Sequence, residues 1–238
     1  MEKLGDTGHL AFVCAMPMEL RPLVKKLSLR KERIGGITLH SGILGNRKVV
    51  AIVTGMGTQL AREGLERLLG VIVVTEVVVV GITGAVEDVT PIGTLVFPEV
   101  VVNSATGAEC RPNHRGPGHP KGKMWTTDGL TTDATVLEEL RSKEVVALDM
   151  ETAAIAQCCQ SRGIPWSVFR AISDRATDGS ITEEVFHLSN QDGTPNKRAV
   201  ARYFLKNPTH VPRMADLAKG AKLATEAAAQ AAISAYSD

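Results

Sequence analysis

Three acidic residues that lie far apart in the chain, Glu19, Glu151 and Asp174, each come just after an apolar, β-type run. Ligands of open α/β sheets bind outside the carboxyl ends of the strands, so we expect the three carboxylates to meet at one rim. Three carboxylates could hold a divalent cation. They could also stabilise a reaction whose transition state carries positive charge.

Arg170 is a charge inside the otherwise apolar or small run that precedes Asp174. A strand covered on both faces should not carry a charge without a partner. Glu151 begins the helix face that continues with Ile155 and Cys158, and first-turn amides and the helix dipole can keep it ionised there. Two interpretations stay open: Arg170 and Glu151 form a structural ion pair, or they belong to a functional site.

A strand–helix–strand unit at 144–174 must position these residues. Strands are predicted at 145–148 and 166–172, and the helix between them ends at Arg162-Gly163, with Pro165 beyond. A cation in the last turn, a C′ glycine and a following proline are typical of a helix end. Such a unit usually places two parallel strands side by side.

The rest of the chain alternates between strands and helices. Further strands are predicted at Leu10–Ala15, Ile37–Ser41, Val49–Thr54, Glu76–Val80 and Leu95–Val102, and helices at Pro17–Leu27, Leu60–Leu69, Ala134–Ser142, Arg198–Leu205 and Pro212–Ala235. This alternation predicts a single α/β domain over 1–238. Outside its core we expect an N-terminal tail at 1–8, a mobile Gly/Pro-rich loop at 104–123 and a helical C-terminal extension at 190–238.

Composition excludes several classes of function. A net charge of +1 gives no electrostatic case for nucleic acid, and no apolar run is long enough for a membrane span. Cys14 and Cys158 fall in apolar runs, which favours reduced core thiols and a cytoplasmic protein. The spacing of Cys110, His114 and His119 fits no zinc class well, so no metal and no cofactor is predicted.

Two glycine-rich segments, Gly55-Met56-Gly57 and Gly81-Ile82-Thr83-Gly84-Ala85, follow strands at the same predicted edge. Glycines let a ligand approach backbone amides closely. The chain has no GxGxxG that opens a helix and no GxxxxGK[ST], so the usual dinucleotide and nucleotide-phosphate sites are not predicted.

The stretch Ala147-Leu148-Asp149-Met150-Glu151-Thr152-Ala153-Ala154-Ile155-Ala156, followed by Phe169-Arg170-Ala171-Ile172-Ser173-Asp174, resembles the nucleoside phosphorylase/nucleosidase superfamily. It is most like the 5′-methylthioadenosine/S-adenosylhomocysteine nucleosidases. The match extends to Ala15–Glu19 and to both glycine-rich segments, in the family's order. The resemblance implies a three-layer αβα fold with a central mixed, mostly parallel twisted sheet.

The resemblance also implies hydrolysis of the N-glycosidic bond of a 5′-substituted adenosine, with release of adenine, in methionine salvage. Asp174 would give a proton to the purine N7, and Glu151 would hold the ribose hydroxyls and stabilise the cationic transition state. Glu19 would activate water, and Arg170 would orient these groups. Further substrate contacts are implied for Met56, Ile82, Thr83, Gly84, Leu130, Thr131, Met150 and Ser173.

Water or phosphate as the nucleophile is the main alternative within this resemblance. Relatives that use phosphate carry arginines at the places where this chain has Glu19 and Val79, and a carboxylate repels phosphate. Water is therefore favoured, although Arg21 lies close by. The alternatives are a phosphate-dependent purine nucleoside phosphorylase, such as the hopanoid-associated type, and a nucleoside-binding module without turnover.

The chain departs from the family in three places. Ile82 stands where nucleosidases usually have a serine that helps hold the water. The segment between Val102 and Met124 is shorter and lacks a predicted helix. The stretch from Asp192 to Pro212 resembles a shorter branch of the superfamily, so the 5′ substituent could be larger than methylthio.

The partner implied by the resemblance is a small-molecule purine nucleoside. A homodimer or higher homo-oligomer is also implied, because related nucleosidases often complete the 5′ pocket with a neighbouring subunit. Met56 and the apolar face of the predicted Leu60–Leu69 helix suit an interface, and core packing explains them equally well.

Overall fold

The computed structural model describes residues 8–176, 181–190, 192–194 and 196–237. The tail predicted at 1–8 therefore lies outside the described residues, apart from Gly8. Gln191, Pro195 and Asp238, in the predicted C-terminal extension, also lie outside them.

The elements follow the predicted alternation closely. The strands are β1 (His9–Cys14), β2 (Arg30–Ile34), β3 (Ile37–Leu44), β4 (Arg47–Val53), β5 (Val74–Ala85), β6 (Leu95–Val96), β7 (Val100–Asn103), β8 (Glu109–Cys110), β9 (Lys123–Thr126), β10 (Val145–Asp149) and β11 (Trp166–Arg175). The α-helices are α1 (Pro17–Leu27), α2 (Thr58–Leu69), α3 (Ala134–Ser142), α4 (Thr152–Ser161), α5 (Glu183–Phe186), α6 (Lys197–Lys206) and α7 (Val211–Ala235).

The strands form one mixed sheet with helices on both faces. Its order is β2-β3-β4-β1-β5-β10-β9-β7-β8, with β11 beside β5 and β6. Along β1, Ala11 and Val13 face the core shared with α2 and α4, whereas Leu10, Phe12 and Cys14 face the core shared with α1 and α7. This alternation follows from the two-residue period of a strand. It confirms the three-layer αβα fold.

The strands on either side of α4 do not pair with each other, so this part of the topology prediction was wrong. β11 runs parallel to β5, and β10 runs antiparallel to the end of β5. Gly84 is the meeting point, because it lies opposite Asp174 on β11 and Leu148 on β10. The glycine-rich segment 81–85, predicted to follow the strand at Glu76–Val80, is part of β5 because β10 and β11 both pair with it.

Several short elements were not predicted. These are β2, β8, β9 and α5, each of five residues or fewer. The run predicted at Leu95–Val102 is divided into β6 and β7, with Pro98 between them, since proline cannot donate a backbone hydrogen bond. Residues 104–122, all described, contain β8 and no helix.

The alanine-rich end of α7 is a core element. Ala224, Ala228, Ala229 and Ala232 are fully buried in the cluster that contains Phe169 of β11. Small side chains let a helix axis approach a sheet closely, so a helix predicted to lie outside the core forms part of one outer layer.

The four cysteines are buried free thiols. No helix among the described residues is long and apolar enough to cross a membrane.

Candidate active site

A cavity of about 450 Å³ lies where β1, β5, β10 and β11 converge. The structure brings all twelve predicted site residues to its wall. These are Glu19, Met56, Ile82, Thr83, Gly84, Leu130, Thr131, Met150, Glu151, Arg170, Ser173 and Asp174.

Glu19 lies in the first turn of α1 and is 1% exposed. Its Oε2 accepts hydrogen bonds from the amides of Ala15 (2.8 Å) and Met16 (2.9 Å), and its Oε1 accepts one from the amide of Ile82 (2.8 Å). Burial raises the pKa of Glu19, while Arg170 and these amides oppose the rise. The carboxylate is therefore held in one position between β1 and β5.

Arg170 is buried at 1% exposure below the cavity. Its Nη2 lies 2.8 Å from Asp149 Oδ2 and 3.1 Å from Glu151 Oε2, and its Nη1 lies 3.4 Å from Glu19 Oε1. Nη1 also donates to the carbonyl of Ile82 at 2.9 Å. These carboxylates raise the pKa of the guanidinium above its usual value, although burial opposes them. Arg170 is thus the shared partner of three carboxylates, more than the single ion pair that the sequence suggested.

Glu151 is the N-cap residue of α4 and is 5% exposed. Its side chain makes no hydrogen bond to the first-turn amides of its own helix, contrary to expectation. Its Oε1 instead accepts a hydrogen bond from the amide of Gly57 at 3.0 Å. Burial, with the nearby charges of Asp149 and Glu19, raises the pKa of Glu151 to about 7, and Arg170 acts against that rise.

Asp149 holds the N-terminus of α4, a role that the sequence interpretation did not assign. Its Oδ2 accepts hydrogen bonds from the Thr152 amide (2.9 Å) and the Thr152 hydroxyl, and its Oδ1 accepts one from the Thr126 hydroxyl (2.6 Å). The sequence signal was present as an aspartate three residues before a helical threonine. This local signal indicates a helix cap, but it does not indicate the contacts of Asp149 with Thr126, which is 23 residues away, or with Arg170.

Asp174 lies at the end of β11, opposite Gly84 of β5. The Ser173 hydroxyl donates to Asp174 Oδ1. A Cβ atom at position 84 would lie 3.3 Å from Asp174 Oδ2, so glycine at this position leaves room beside the carboxyl. Asp174 is only partly buried and therefore borders the open part of the cavity.

The loop at 127–132 forms another side of the cavity and contains the predicted contacts Leu130 and Thr131. Asp128 anchors it, because its carboxylate accepts hydrogen bonds from both the amide and the hydroxyl of Thr58, each at 2.8 Å. The start of α2 thus positions two parts of the site, since Gly57 contacts Glu151 and Thr58 contacts Asp128.

An apolar wall completes the cavity, and the sequence interpretation missed it. It consists of side chains from the described part of 181–221: Ile181, Val185, Phe186, Leu188, Val200, Met214, Leu217, Ala218 and Ala221. The segment spans the site, because Gly193 packs against Met16 and Gly220 packs against the carbonyl of Ser173. All of these side chains belong to this chain.

The loop at 104–123, all of it described, contributes no residue to the cavity. Arg115 of this loop pairs at 2.9 Å with Glu76, near the opposite end of β5. The Nε2 of His114 lies 2.9 Å from the Gly118 carbonyl, and its ring packs edge-on against Phe97.

The described residues contain no group of three or more His, Cys, Asp or Glu side chains arranged to hold a metal ion. Around the cavity the reason is clear, because Arg170 occupies the position between the carboxylates that a cation would take.

The apolar face of α2 packs in the core, where Ala61, Leu65 and Leu68 are buried.

Comparisons with known proteins agree with this geometry. A sequence model of the phosphorylase superfamily matches residues 9–120 and 112–206. The 5′-methylthioadenosine/S-adenosylhomocysteine nucleosidase of Shewanella denitrificans is 27% identical over 202 residues, which cover 72% of this chain and 88% of that protein. The enzyme of the same name from Haemophilus ducreyi is 26% identical over 222 residues, covering 81% and 91%.

Solved structures show the same fold. The Helicobacter pylori 5′-methylthioadenosine/S-adenosylhomocysteine nucleosidase with butyl-thio-DADMe-Immucillin-A superimposes with a TM-score of 0.72 at 15% identity, covering 97% of this chain and 98% of that one. The futalosine hydrolase of the same organism gives 0.71 at 16% identity, covering 96% and 97%.

Proposed function

Because this chain belongs to the phosphorylase superfamily, we propose that it hydrolyses the N-glycosidic bond of a 5′-substituted adenosine and releases adenine. The observation that carries the proposal is the single cavity in which Glu19, Glu151 and Asp174 meet above Arg170. The names of the curated relatives, at 26–27% identity, support a substrate like methylthioadenosine or adenosylhomocysteine.

The charges of the cavity suit this reaction. Breaking an N-glycosidic bond leaves positive charge on the ribose and negative charge on the purine. Asp174, at the open side, protonates or shares a proton with the purine N7, which is general acid catalysis worth roughly 10²–10⁴-fold. Glu151 accepts hydrogen bonds from the ribose hydroxyls, and its negative charge stabilises the oxocarbenium-like sugar. Met150, beside it, packs on the sugar.

Glu19 is the proposed base that activates the attacking water. Three backbone amides and Arg170 hold its carboxylate, so a water molecule at the cavity side meets a base of fixed position. Ile82 offers its amide to Glu19 but has no hydroxyl to hold that water. We therefore assign the orientation of the water to Glu19 and Arg170.

Water is favoured over phosphate because the cavity has little free positive charge. Among the described residues that line it, the cations are Arg170 and Arg175. Arg170 already serves three carboxylates, and the Nε of Arg175 donates to the Thr90 carbonyl at 3.0 Å. Arg21 is exposed and lies outside the cavity lining. A phosphate dianion would meet net negative charge here.

The apolar wall favours a neutral 5′ substituent. The segment 181–221 presents aliphatic and aromatic side chains to the cavity. Burying an ammonium or carboxylate group against such a wall without a partner is unfavourable. We therefore expect methylthioadenosine to be a better substrate than adenosylhomocysteine, whose amino-acid tail carries two charges.

The proposal is tested by incubating the protein with methylthioadenosine, adenosylhomocysteine, adenosine and inosine, each with and without phosphate, and identifying the products by chromatography. Adenine release without phosphate, at a rate that EDTA leaves unchanged, is the expected result. Ribose-1-phosphate products that require phosphate would show a phosphorylase instead. Saturable nucleoside binding without any adenine would show a binding module.

A further inference from the structure

Asp149 has more buried polar contacts than a helix cap requires. The residue is 6% exposed, and its carboxylate accepts hydrogen bonds from Thr126 and Thr152 while also contacting Arg170. The two threonine contacts would be enough to hold the strand end and the start of α4. The contact with Arg170 connects Asp149 to the proposed catalytic groups.

Asp149 makes the shortest of the three ion pairs of Arg170. The separations are 2.8 Å to Asp149, 3.1 Å to Glu151 and 3.4 Å to Glu19. A charge-assisted contact of 2.8 Å is a strong hydrogen bond, whereas one of 3.4 Å is weak. The guanidinium is therefore held chiefly by Asp149 and by the Ile82 carbonyl at 2.9 Å.

We propose that Asp149 is a positioning residue that holds Arg170 between Glu19 and Glu151 and holds the start of α4, on which Glu151 lies. Asp149 acts through Arg170 and Glu151 rather than on the substrate. The inference rests on the proposed function insofar as Arg170 and Glu151 serve the hydrolytic reaction.

The same contact has an electrostatic consequence for Glu151. The charged groups that face Glu151 are Arg170 from β11, Asp149 from β10 and Glu19 from α1, and the Gly57 amide of the α2 N-terminus also contacts it. By engaging Arg170 and adding its own negative charge, Asp149 makes it harder for Glu151 to ionise. Neutralising Asp149 removes a like charge and leaves Arg170 free to approach Glu151, and both changes lower the pKa of Glu151.

The test uses two variants, Asp149→Asn and Asp149→Ser, and the pH profile of kcat/KM. Both variants remove the charge and keep an oxygen that can cap α4. Because Glu151 and Glu19 both act as anions, the acidic limb of the wild-type profile should reflect the raised pKa of Glu19 together with the Glu151 pKa of about 7. In both variants this limb should move to lower pH by about one unit, the scale of one neighbouring charge. The maximum of kcat/KM should fall roughly 10-fold or more, because Arg170 loses its position.

The matched control is Asp133→Asn. Asp133 caps α3 by accepting hydrogen bonds from the amides of Thr135 and Val136, and it lies outside the cavity lining. This variant should leave the profile unchanged. Loss of stability or activity in both Asp149 variants with an unmoved acidic limb would overturn the proposal and leave Asp149 a structural cap.

A second measurement distinguishes a failure of this proposal from a failure of the proposed function. The carbon-13 chemical shift of the Glu151 side-chain carboxyl, followed against pH, reports its ionisation without any turnover. A titration midpoint that falls in Asp149→Asn supports the positioning role even if wild-type protein releases no adenine. An unchanged midpoint overturns that role even if the enzyme is active.

Discussion

Gly81 is the backbone position against which the Glu19 carboxylate and the Arg170 guanidinium are packed. A Cβ atom placed on Gly81 would lie 2.2 Å from Glu19 Oε1 and 2.6 Å from Arg170 Nη1. Ordinary contacts are about 3.5 Å or longer, so Gly81→Ala forces the Glu19 carboxylate to withdraw by more than about 1 Å. That movement breaks the 2.8 Å hydrogen bond from the Ile82 amide, which defines the present position of the carboxylate.

Displacement of a catalytic group by about 1 Å can cost on the order of 10²-fold in rate. We therefore expect Gly81→Ala to lower kcat/KM for adenine release by about 10²-fold. The measurement is initial-rate kinetics on methylthioadenosine, with a thermal melt to establish that the variant is folded. Gly81 has ordinary backbone angles, so the substitution itself adds no backbone strain.

Gly116→Ala is the matched control. A Cβ atom there would lie 2.2 Å from the Phe97 ring, which is the same depth of overlap, but neither residue lines the cavity. This variant should keep its activity per folded molecule even if its melting temperature falls. A Gly81→Ala protein that matches wild type in kcat/KM would refute the assignment of Glu19 and Arg170 to the reaction.

Three further substitutions test separate parts of the account. Asp174→Asn should lower kcat by at least about 10²-fold with little change in melting temperature, and near-normal turnover would contradict its role as the acid. Glu19→Gln should stop hydrolysis but still bind methylthioadenosine in calorimetry, and an unaltered rate would place the base elsewhere. Tyr236→Phe should leave kcat unchanged but cost about 1–3 kcal/mol in denaturant unfolding, because the Tyr236 hydroxyl donates to buried Glu76 at 2.6 Å and contacts Ser167 at 2.9 Å. Wild-type stability in that variant would show that the buried hydroxyl is dispensable.

The helix ends could be predicted from the sequence because their signals are local. Pro17 begins α1, Asp133 caps α3, and α4 ends at Ser161, followed by the C-cap residue Arg162 and by Gly163 in the left-handed conformation at φ 64°. Each signal depends on residues within one or two turns of the helix end. Such signals are independent of how the rest of the chain packs.

Strand pairing could not be predicted in the same way. The segment Gly81–Ala85 looks like a turn because glycine weakens an isolated strand. In the structure it pairs with β11 and with β10, which come from residues more than 60 positions later. The prediction that the carboxylates share one rim agrees with the structure, although β10 and β11, which were predicted to pair in parallel, each pair with β5 instead.

The cavity wall and the role of Asp149 were missed for a related reason. Ile181 and Leu188 lie in the loops before and after α5, Leu217 lies in α7, and nothing in their spacing relates them to residues near Glu151. The importance of Asp149 depends on Arg170, 21 residues later and on another strand. These contacts form only in the folded chain, where α4 packs against the sheet, so they could not be predicted from the sequence.

The ion cluster below the cavity is a poor way to stabilise a fold. Three buried carboxylates share one buried arginine, so the cluster carries net negative charge unless two of the carboxyl groups stay protonated, and both states cost stability compared with apolar packing. The raised pKa values of Glu19 and Glu151 express that cost. An excess of negative charge becomes favourable when a positive charge develops in the cavity above it. A sugar that becomes cationic as its N-glycosidic bond breaks supplies that charge, so the reaction explains an arrangement that stability alone does not.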